Sequence, residues 1–387
     1  MLRELARAGC FAGICALAVG GWPDASAAAL APWALPAPTG SARIGTVSLY
    51  LVDRARWDPF APVRRHRALM ISLWYPAASS QTQAAANYVD AKIANILDRD
   101  LDAPLGAFEA VRTQAIEGPP MLVPGRAPYP VVLYSPGFGS WRNASTSLVE
   151  ELASRGFVVV TIDHPYDAIA VEFPNGEVVK ARPLHPSGSS KGMTPLRQWD
   201  TLVGPLLKVR VADVRFVLGV LAAIDSGHNP AVGGRPLPQH LAGALDMTRI
   251  GMFGHSLGGS TTAEVMQLDR RVRAGFLMDG PIPSETRGTR FDRSLLLLRS
   301  GDKAIGELVG PAWQQFLPRT SGWHRMIKLA GAGHNDFTDL TVVARRLGLP
   351  AGLRSSWSLG SIDAFRAVRD ERGYLVEFFD RQLRGRP

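Results

Sequence analysis

The chain has 387 residues, 46% apolar and 20% charged, a globular balance that excludes disordered, collagenous, coiled-coil and mucin-like chains. Its net charge is +9, from 43 Lys and Arg against 34 Asp and Glu, with no dense basic run and no basic stripe interleaved with aromatics. That pattern argues against nucleic-acid binding and leaves a basic surface with weak attraction to anionic surfaces such as a membrane.

The only long apolar stretch is at the N-terminus, which excludes a polytopic membrane protein. It reads as a secretory signal. Arg3 and Arg7 give a positive start, Ala8 to Val19 a short apolar core, and Ala25-Ser26-Ala27 a small-x-small cleavage site. A lipid anchor at Cys10 is disfavoured, because Ala6-Arg7-Ala8-Gly9 is not apolar enough. Cleavage after Ala27 removes both cysteines, Cys10 and Cys15, leaving no disulfide, thiolate nucleophile or Cys-based metal site in residues 28–387. The expectation is a secreted or periplasmic protein, monomeric, with one domain over 28–387.

After an Ala/Pro-rich stretch to Gly40, Val47 to Val52 and Leu69 to Tyr75 read as strands joined by an Arg-rich hairpin or loop. Asn87 to Thr113 reads as helical. A clear alternation follows. Strands are expected at Tyr129 to Tyr134, Phe157 to Ile162, Arg249 to Phe253, Arg273 to Met278, Ser294 to Leu298 and Arg325 to Leu329. Helices are expected at Thr146 to Arg155, Leu206 to Ile224, Ser256 to Leu268, Val309 to Phe316 and Ile362 to Leu383. Apolar strands alternating with helices predict an α/β fold, a mostly parallel sheet buried on both faces. Asn175 to Gln198 and Ser226 to Ala242, rich in Pro, Gly and Ser, read as lid-like insertions.

The chemistry centres on Gly254-His255-Ser256-Leu257-Gly258-Gly259, between an apolar strand and a helix. Glycine two places either side of Ser256 permits a strained strand-to-helix turn that lifts the hydroxyl above the sheet. A serine nucleophile needs a base, and the base an orienting acid, in the chain order Ser, acid, His. His324 and His334 follow Ser256; His324 opens a strand and reads as structural. His334 lies in Gly331-Ala332-Gly333-His334-Asn335-Asp336-Phe337, a loop after the last strand, and is the expected base. His255 is expected to pack inside the elbow, and His164 to line or support the site. For the acid, Asp279 and Asp302 both end strands, and local pattern does not separate them. The oxyanion hole is expected from the backbone N–H groups of Leu257 and of Phe138, in Ser135-Pro136-Gly137-Phe138-Gly139. Dispersed histidines and the lack of a phosphate or dinucleotide loop predict no metal and no cofactor. Asn143-Ala144-Ser145 reads as an incidental sequon.

Taken together, these motifs resemble the α/β-hydrolases of the plasma platelet-activating-factor acetylhydrolase type. Leu73-Trp74-Tyr75-Pro76-Ala77 resembles that family's early strand, and Tyr134 to Gly139 its oxyanion loop, where the family carries His in place of Pro136. Asp163-His164, Arg249 to Gly259, Leu277-Met278-Asp279, Gly333 to Phe337 and Tyr374 to Leu383 resemble its later segments. The resemblance implies an α/β-hydrolase fold, and it favours Asp279 over Asp302, one strand earlier than in most such enzymes. It also implies a serine carboxylesterase acting on short-acyl esters or on the sn-2 acyl group of phospholipids. The alternatives are a lipase, a polyester or cutin hydrolase, an acyltransferase, and a non-catalytic secreted binding protein, which the complete set of residue types disfavours.

Overall fold

Apolar runs with period-two burial dictate how the strands pair. The computed structural model describes residues 30–78, 84–184 and 192–386. The strands are β1 (Trp33–Ala34), β2 (Arg43–Trp57), β3 (His66–Ala77), β4 (Ala85–Asn87), β5 (Val111–Glu117), β6 (Tyr129–Ser135), β7 (Val158–Ile162), β8 (Ala170–Glu172), β9 (Val178–Lys180), β10 (Leu245–His255), β11 (Val272–Met278), β12 (Ser294–Arg299) and β13 (His324–Lys328). The helices are α1 (Ala91–Asp100), α2 (Thr146–Ser154), α3 (Pro195–Asp225), α4 (Leu257–Leu268), α5 (Ser284–Arg287), α6 (Lys303–Phe316), α7 (Leu340–Leu347), α8 (Ala351–Ser356) and α9 (Ala364–Arg384). The large sheet runs β1-β5-β2-β3-β7-β6-β10-β11-β12-β13, with β4 beside β5, while β8 and β9 form a separate hairpin. From β7 to β13 the neighbours are parallel; β3 is antiparallel to both β7 and β2.

Alternate strand residues point to opposite faces. Val131, Leu133, Val158, Val160 and Met252 bury in one apolar cluster, which α3, α4 and α6 join through Val214, Val265 and Trp313. Val132, Tyr134, Val159 and Phe253 bury in the other, which α2 and α9 join through Leu148, Leu152, Phe378 and Phe379. Each such fully buried side chain contributes about 1.5–3 kcal/mol of transfer free energy. Gly251 shows how closely α9 seats: a Cβ there would fall 2.5 Å from the Phe379 ring. This is the α/β-hydrolase fold, and the carboxyl ends of β6, β7, β10, β11, β12 and β13 share one edge of the sheet. Open α/β sheets place their binding sites in the crevice outside that edge.

Three expectations need correction. Only Ala91–Asp100 of the segment read as helical is helix; Val111–Glu117 is strand, burying Val111, Thr113 and Ala115 in alternation. Pro104 and Gly106 stand between them and stop the helix. Helix α3 starts at Pro195, capped by Thr194, whose side chain accepts the Arg197 N–H, and runs through Pro205. The sequence expectation began this helix at Leu206, eleven residues later, and placed its first turn, Pro195 to Gln198, in the insertion. The rest of that insertion holds β9, and residues 185–191 lie outside the described residues. Helices α7 and α8 were not foreseen. The segment from Ser226 to Ala242 contains no helix or strand, as expected. The expected signal, residues 1–27, lies outside the described residues. No helix among the described residues is long and apolar enough to cross a membrane.

Candidate active site

Strand β10 delivers Ser256 at φ 53° and ψ −121°, and α4 begins at the next residue. For a residue with a side chain that conformation stores about 1–3 kcal/mol and persists only where neighbours over-determine it. They do so here through glycines. A Cβ at Gly254 would lie 2.3 Å from the Gly258 carbonyl carbon, one at Gly258 1.9 Å from Ser135 O, and one at Gly280 2.2 Å from Ser256 O. The Ser256 N–H donates to Met278 O at 2.8 Å. Ser256 therefore sits where β10, the β11 exit and the β6 exit converge, and Leu257 offers the first N–H of α4, which has no acceptor within the helix.

Asp279 leaves β11 at φ 51° and is 2% exposed. Its carboxylate is divided between two donors: Oδ1 accepts the Ser300 N–H at 2.8 Å, and Oδ2 lies 2.7 Å from His334 Nδ1. Asp302 is elsewhere engaged. It is the N-cap of α6, and its side chain accepts the Ile305 N–H at 3.0 Å. The two strand-end aspartates, alike in sequence, thus differ in geometry.

The histidine loop is held by Asp336, which is fully buried. Its carboxylate accepts the Gly333 and Gly360 N–H groups and the Thr341 hydroxyl, each at 2.7 Å. Three donors satisfy both oxygens and fix the turn His334–Phe337. His255 packs inside the elbow as expected. Its ring lies 4.5 Å from that of His334, and its Nε2 is 2.8 Å from His334 O. Burial, reinforced by the neighbouring His334, pushes the His255 imidazole well below its usual range, so it stays neutral and Nε2–H donates to that carbonyl.

The loop 135–139 lies against Ser256: a Cβ on Gly137 would stand 3.4 Å from Ser256 Cβ. The Gly139 N–H donates to Asp167 O at 3.0 Å and the Ser140 N–H to Gly137 O at 3.3 Å. Phe138 is buried in the apolar cluster that also contains Leu257, Trp199 and Ile282. The structure therefore brings together Ser256, Asp279, His334, Leu257 and the Phe138 loop, while His324 stands exposed at the start of β13. Asn143 of the sequon is buried, its side-chain amide donating to Tyr88 O.

A second Ser-His-Asp arrangement was missed from sequence. His164 Nε2 is 3.1 Å from Ser135 Oγ, and its Nδ1 is 3.0 Å from Asp213 Oδ2. All three side chains are at most 1% exposed, which closes this set to an ester. Burial acts to raise the Asp213 carboxyl, but the Arg67 guanidinium and His164 outweigh it and hold it well below the usual range. Burial and the Arg210 charge push His164 down, so it too is neutral. The set is a strut for the end of β6. Arg210 and Asp167 complete it; Asp167 follows His164 by three residues in the β7–β8 connection, and Arg210 comes from α3, remote in sequence from every motif.

The chain is similar to known proteins. The family model for platelet-activating factor acetylhydrolase, isoform II, matches residues 71–368. A probable 1-alkyl-2-acetylglycerophosphocholine esterase of Arthroderma benhamiae is 26% identical over 66% of this chain and 61% of its own length. The platelet-activating factor acetylhydrolase of Bos taurus is 26% identical over 57% of this chain and 50% of its own length, so the chain spans only about half to three-fifths of these curated relatives. A solved structure, a ferulic acid esterase from Streptomyces cinnamoneus, is 34% identical with a TM-score of 0.74, covering 92% of this chain and 95% of that one. With a match running from β3 to α9 and taking in every residue of the site, the chain belongs to the platelet-activating factor acetylhydrolase, isoform II family.

Proposed function

We propose that the protein is a serine carboxylic-ester hydrolase working through an acyl-enzyme. The observation that carries this reading is the 2.7 Å contact between Asp279 and His334 beside a serine held at positive φ. In this mechanism Ser256 Oγ attacks the ester carbonyl while His334 takes its proton. The tetrahedral oxyanion is held by the N–H groups of Phe138 and Leu257. His334 then protonates the departing alcohol, and water repeats the sequence on the acyl-enzyme, releasing the acid. Asp279 fixes the imidazole with its proton on Nδ1 and stabilises the imidazolium that forms.

For substrate we propose short-acyl esters, including the sn-2 acyl group of phospholipids, in line with the names of the curated relatives and with the bulk of Phe138 on the oxyanion loop. The full-length likeness to a ferulic acid esterase favours a second reading, in which the acyl group is an aryl acid. Comparing kcat/KM for p-nitrophenyl esters from acetate to palmitate with that for methyl ferulate separates them. The first reading expects a graded fall with length, since each methylene in an apolar pocket changes transition-state binding by about 1–3 kcal/mol. Activity that rises steadily with length marks a lipase, and a large preference for the ferulate supports the second reading.

A further inference from the structure

We propose that Arg210 is a positioning residue for the oxyanion hole, acting on the peptide that links Gly137 to Phe138. This rests on the reading of the Phe138 N–H as an oxyanion donor and deepens it. Arg210 projects from α3, is 1% exposed, and spends all five of its N–H donors at one place. Nε and Nη2 form a bidentate pair with Asp167 at 2.7 and 2.5 Å. The remaining donors reach the carbonyl oxygens of Pro136 at 2.5 Å and Gly137 at 3.1 Å, and Ser135 Oγ at 3.3 Å.

The Gly137 carbonyl and the Phe138 N–H belong to the same planar peptide unit. A cation bonded to the oxygen therefore fixes the direction of the N–H at the other end. It also polarises that unit, since hydrogen bonds in a chain strengthen one another inside a low-dielectric interior. The next residue is gripped as well, because the Gly139 N–H donates to the backbone carbonyl of Asp167, the residue that holds the guanidinium. Gly137 needs such a clamp. A Cβ there would meet His255 Nδ1 at 3.2 Å and Ser256 Cβ at 3.4 Å, so there is little room for one, and a glycine offers little resistance to rotation of the peptide that follows it. Without the guanidinium the Gly137 carbonyl keeps only the Ser140 N–H at 3.3 Å, and the 137–138 unit is freer to turn its N–H away from the substrate oxygen. Ser135, tied to His164 and through it to Asp213, anchors the start of the same loop, so the loop cannot follow a displaced Arg210.

The test uses two variants of the full chain that strand no buried charge. Arg210→Lys keeps the ion pair with Asp167 but has three donors from a single nitrogen and cannot span the carbonyls. The double variant Arg210→Met with Asp167→Asn removes both charges together. Hydrolysis of p-nitrophenyl acetate is measured alongside the affinity of a short-chain trifluoromethyl ketone, which adds a serine oxygen to form a tetrahedral oxyanion, with Ser256→Ala as reference. Loss of a whole oxyanion donor costs about 100- to 1,000-fold in kcat, so a misdirected one should cost about 10- to 100-fold. The expected result is that loss in kcat, KM within about threefold, and ketone affinity falling in proportion to kcat/KM. Unchanged kcat in both variants, or a loss confined to KM with ketone affinity intact, overturns the clamp while leaving Ser256 as nucleophile. Ketone affinity undiminished in Ser256→Ala overturns the nucleophile reading itself, and the clamp with it.

Discussion

Replacing Asp279 by Asn changes one atom and reverses the state of the base. Oδ1 receives the Ser300 N–H at 2.8 Å, a backbone donor that cannot adapt, so the asparagine oxygen must remain there. Its NH2 group then turns to His334 Nδ1, where Oδ2 stood at 2.7 Å. Facing a donor, Nδ1 becomes an acceptor, and the neutral imidazole carries its proton on Nε2. A base protonated on that nitrogen cannot take the Ser256 proton. The same exchange in a serine protease triad lowers kcat by about 10,000-fold, or about 5 kcal/mol of barrier at 1.36 kcal/mol per decade. Asp302→Asn is the control. Its oxygen caps α6 by accepting the Ile305 N–H, and asparagine caps as well as aspartate, so kcat should stay within about twofold. Both variants are assayed for kcat on p-nitrophenyl acetate, with far-UV circular dichroism confirming the fold. Asp279→Asn within tenfold of wild type, or a larger loss in Asp302→Asn, would refute the argument.

Stability should fall as pH rises, in part through Glu150. The side chain is fully buried: one carboxyl oxygen accepts the Gln114 N–H at 2.6 Å and the other has no partner among the described residues. Burial pushes its carboxyl up to about 8 from 4.5. Between these values the folded state holds a proton that the unfolded chain has released, so stability is present below about 4.5 and is lost as pH rises towards 8. Glu150→Gln removes that slope, and relative to wild type the variant should gain on the order of a few kcal/mol across the window, each pKa unit being about 1.4 kcal/mol. Asp339, pushed up to about 6 by burial, keeps its own smaller share in both proteins. Urea denaturation at intervals of pH measures this, and parallel profiles would contradict it. Export should leave a mature N-terminus at or near Ala28; N-terminal sequencing that returns Met1, or mass spectrometry that finds lipid on Cys10, would overturn it.

The parallel half of the sheet was legible in the sequence because each of its strands is an apolar run with a helix behind it, as in YPVVLY and SLLLL. The elbow was legible because it needs glycine at fixed offsets, and GHSLGG supplies it. Strand β5 was not, since V-R-T-Q-A-I-E buries only small and medium side chains in alternation and sets the polar Arg112 and Gln114 on its open face. Helix α3 was half hidden by Pro205, which the packing of Trp199 and Val203 on one side and Leu207 and Val211 on the other overrides. Asp279 and Asp302 could not be parted by spacing, because what parts them is the tertiary position of His334, fixed by Asp336. Of the Arg210, Asp167, His164 and Asp213 set only His164 was flagged by the sequence, and its partners left no linear signal. The set's members come from two separate segments, Arg210 and Asp213 from α3 and His164 and Asp167 from the β7–β8 connection, and buried charge pairing is a property of the folded chain.

The central claim, that Ser256 is the nucleophile, is tested most directly by labelling the purified full-length protein with a fluorophosphonate and locating the adduct by peptide mass spectrometry. The account predicts one adduct, on Ser256 in the peptide containing Gly254 to Gly259, with labelling and ester hydrolysis lost together in Ser256→Ala. An adduct on Ser135, the serine of the buried second set, or ester hydrolysis that persists in Ser256→Ala, would contradict it.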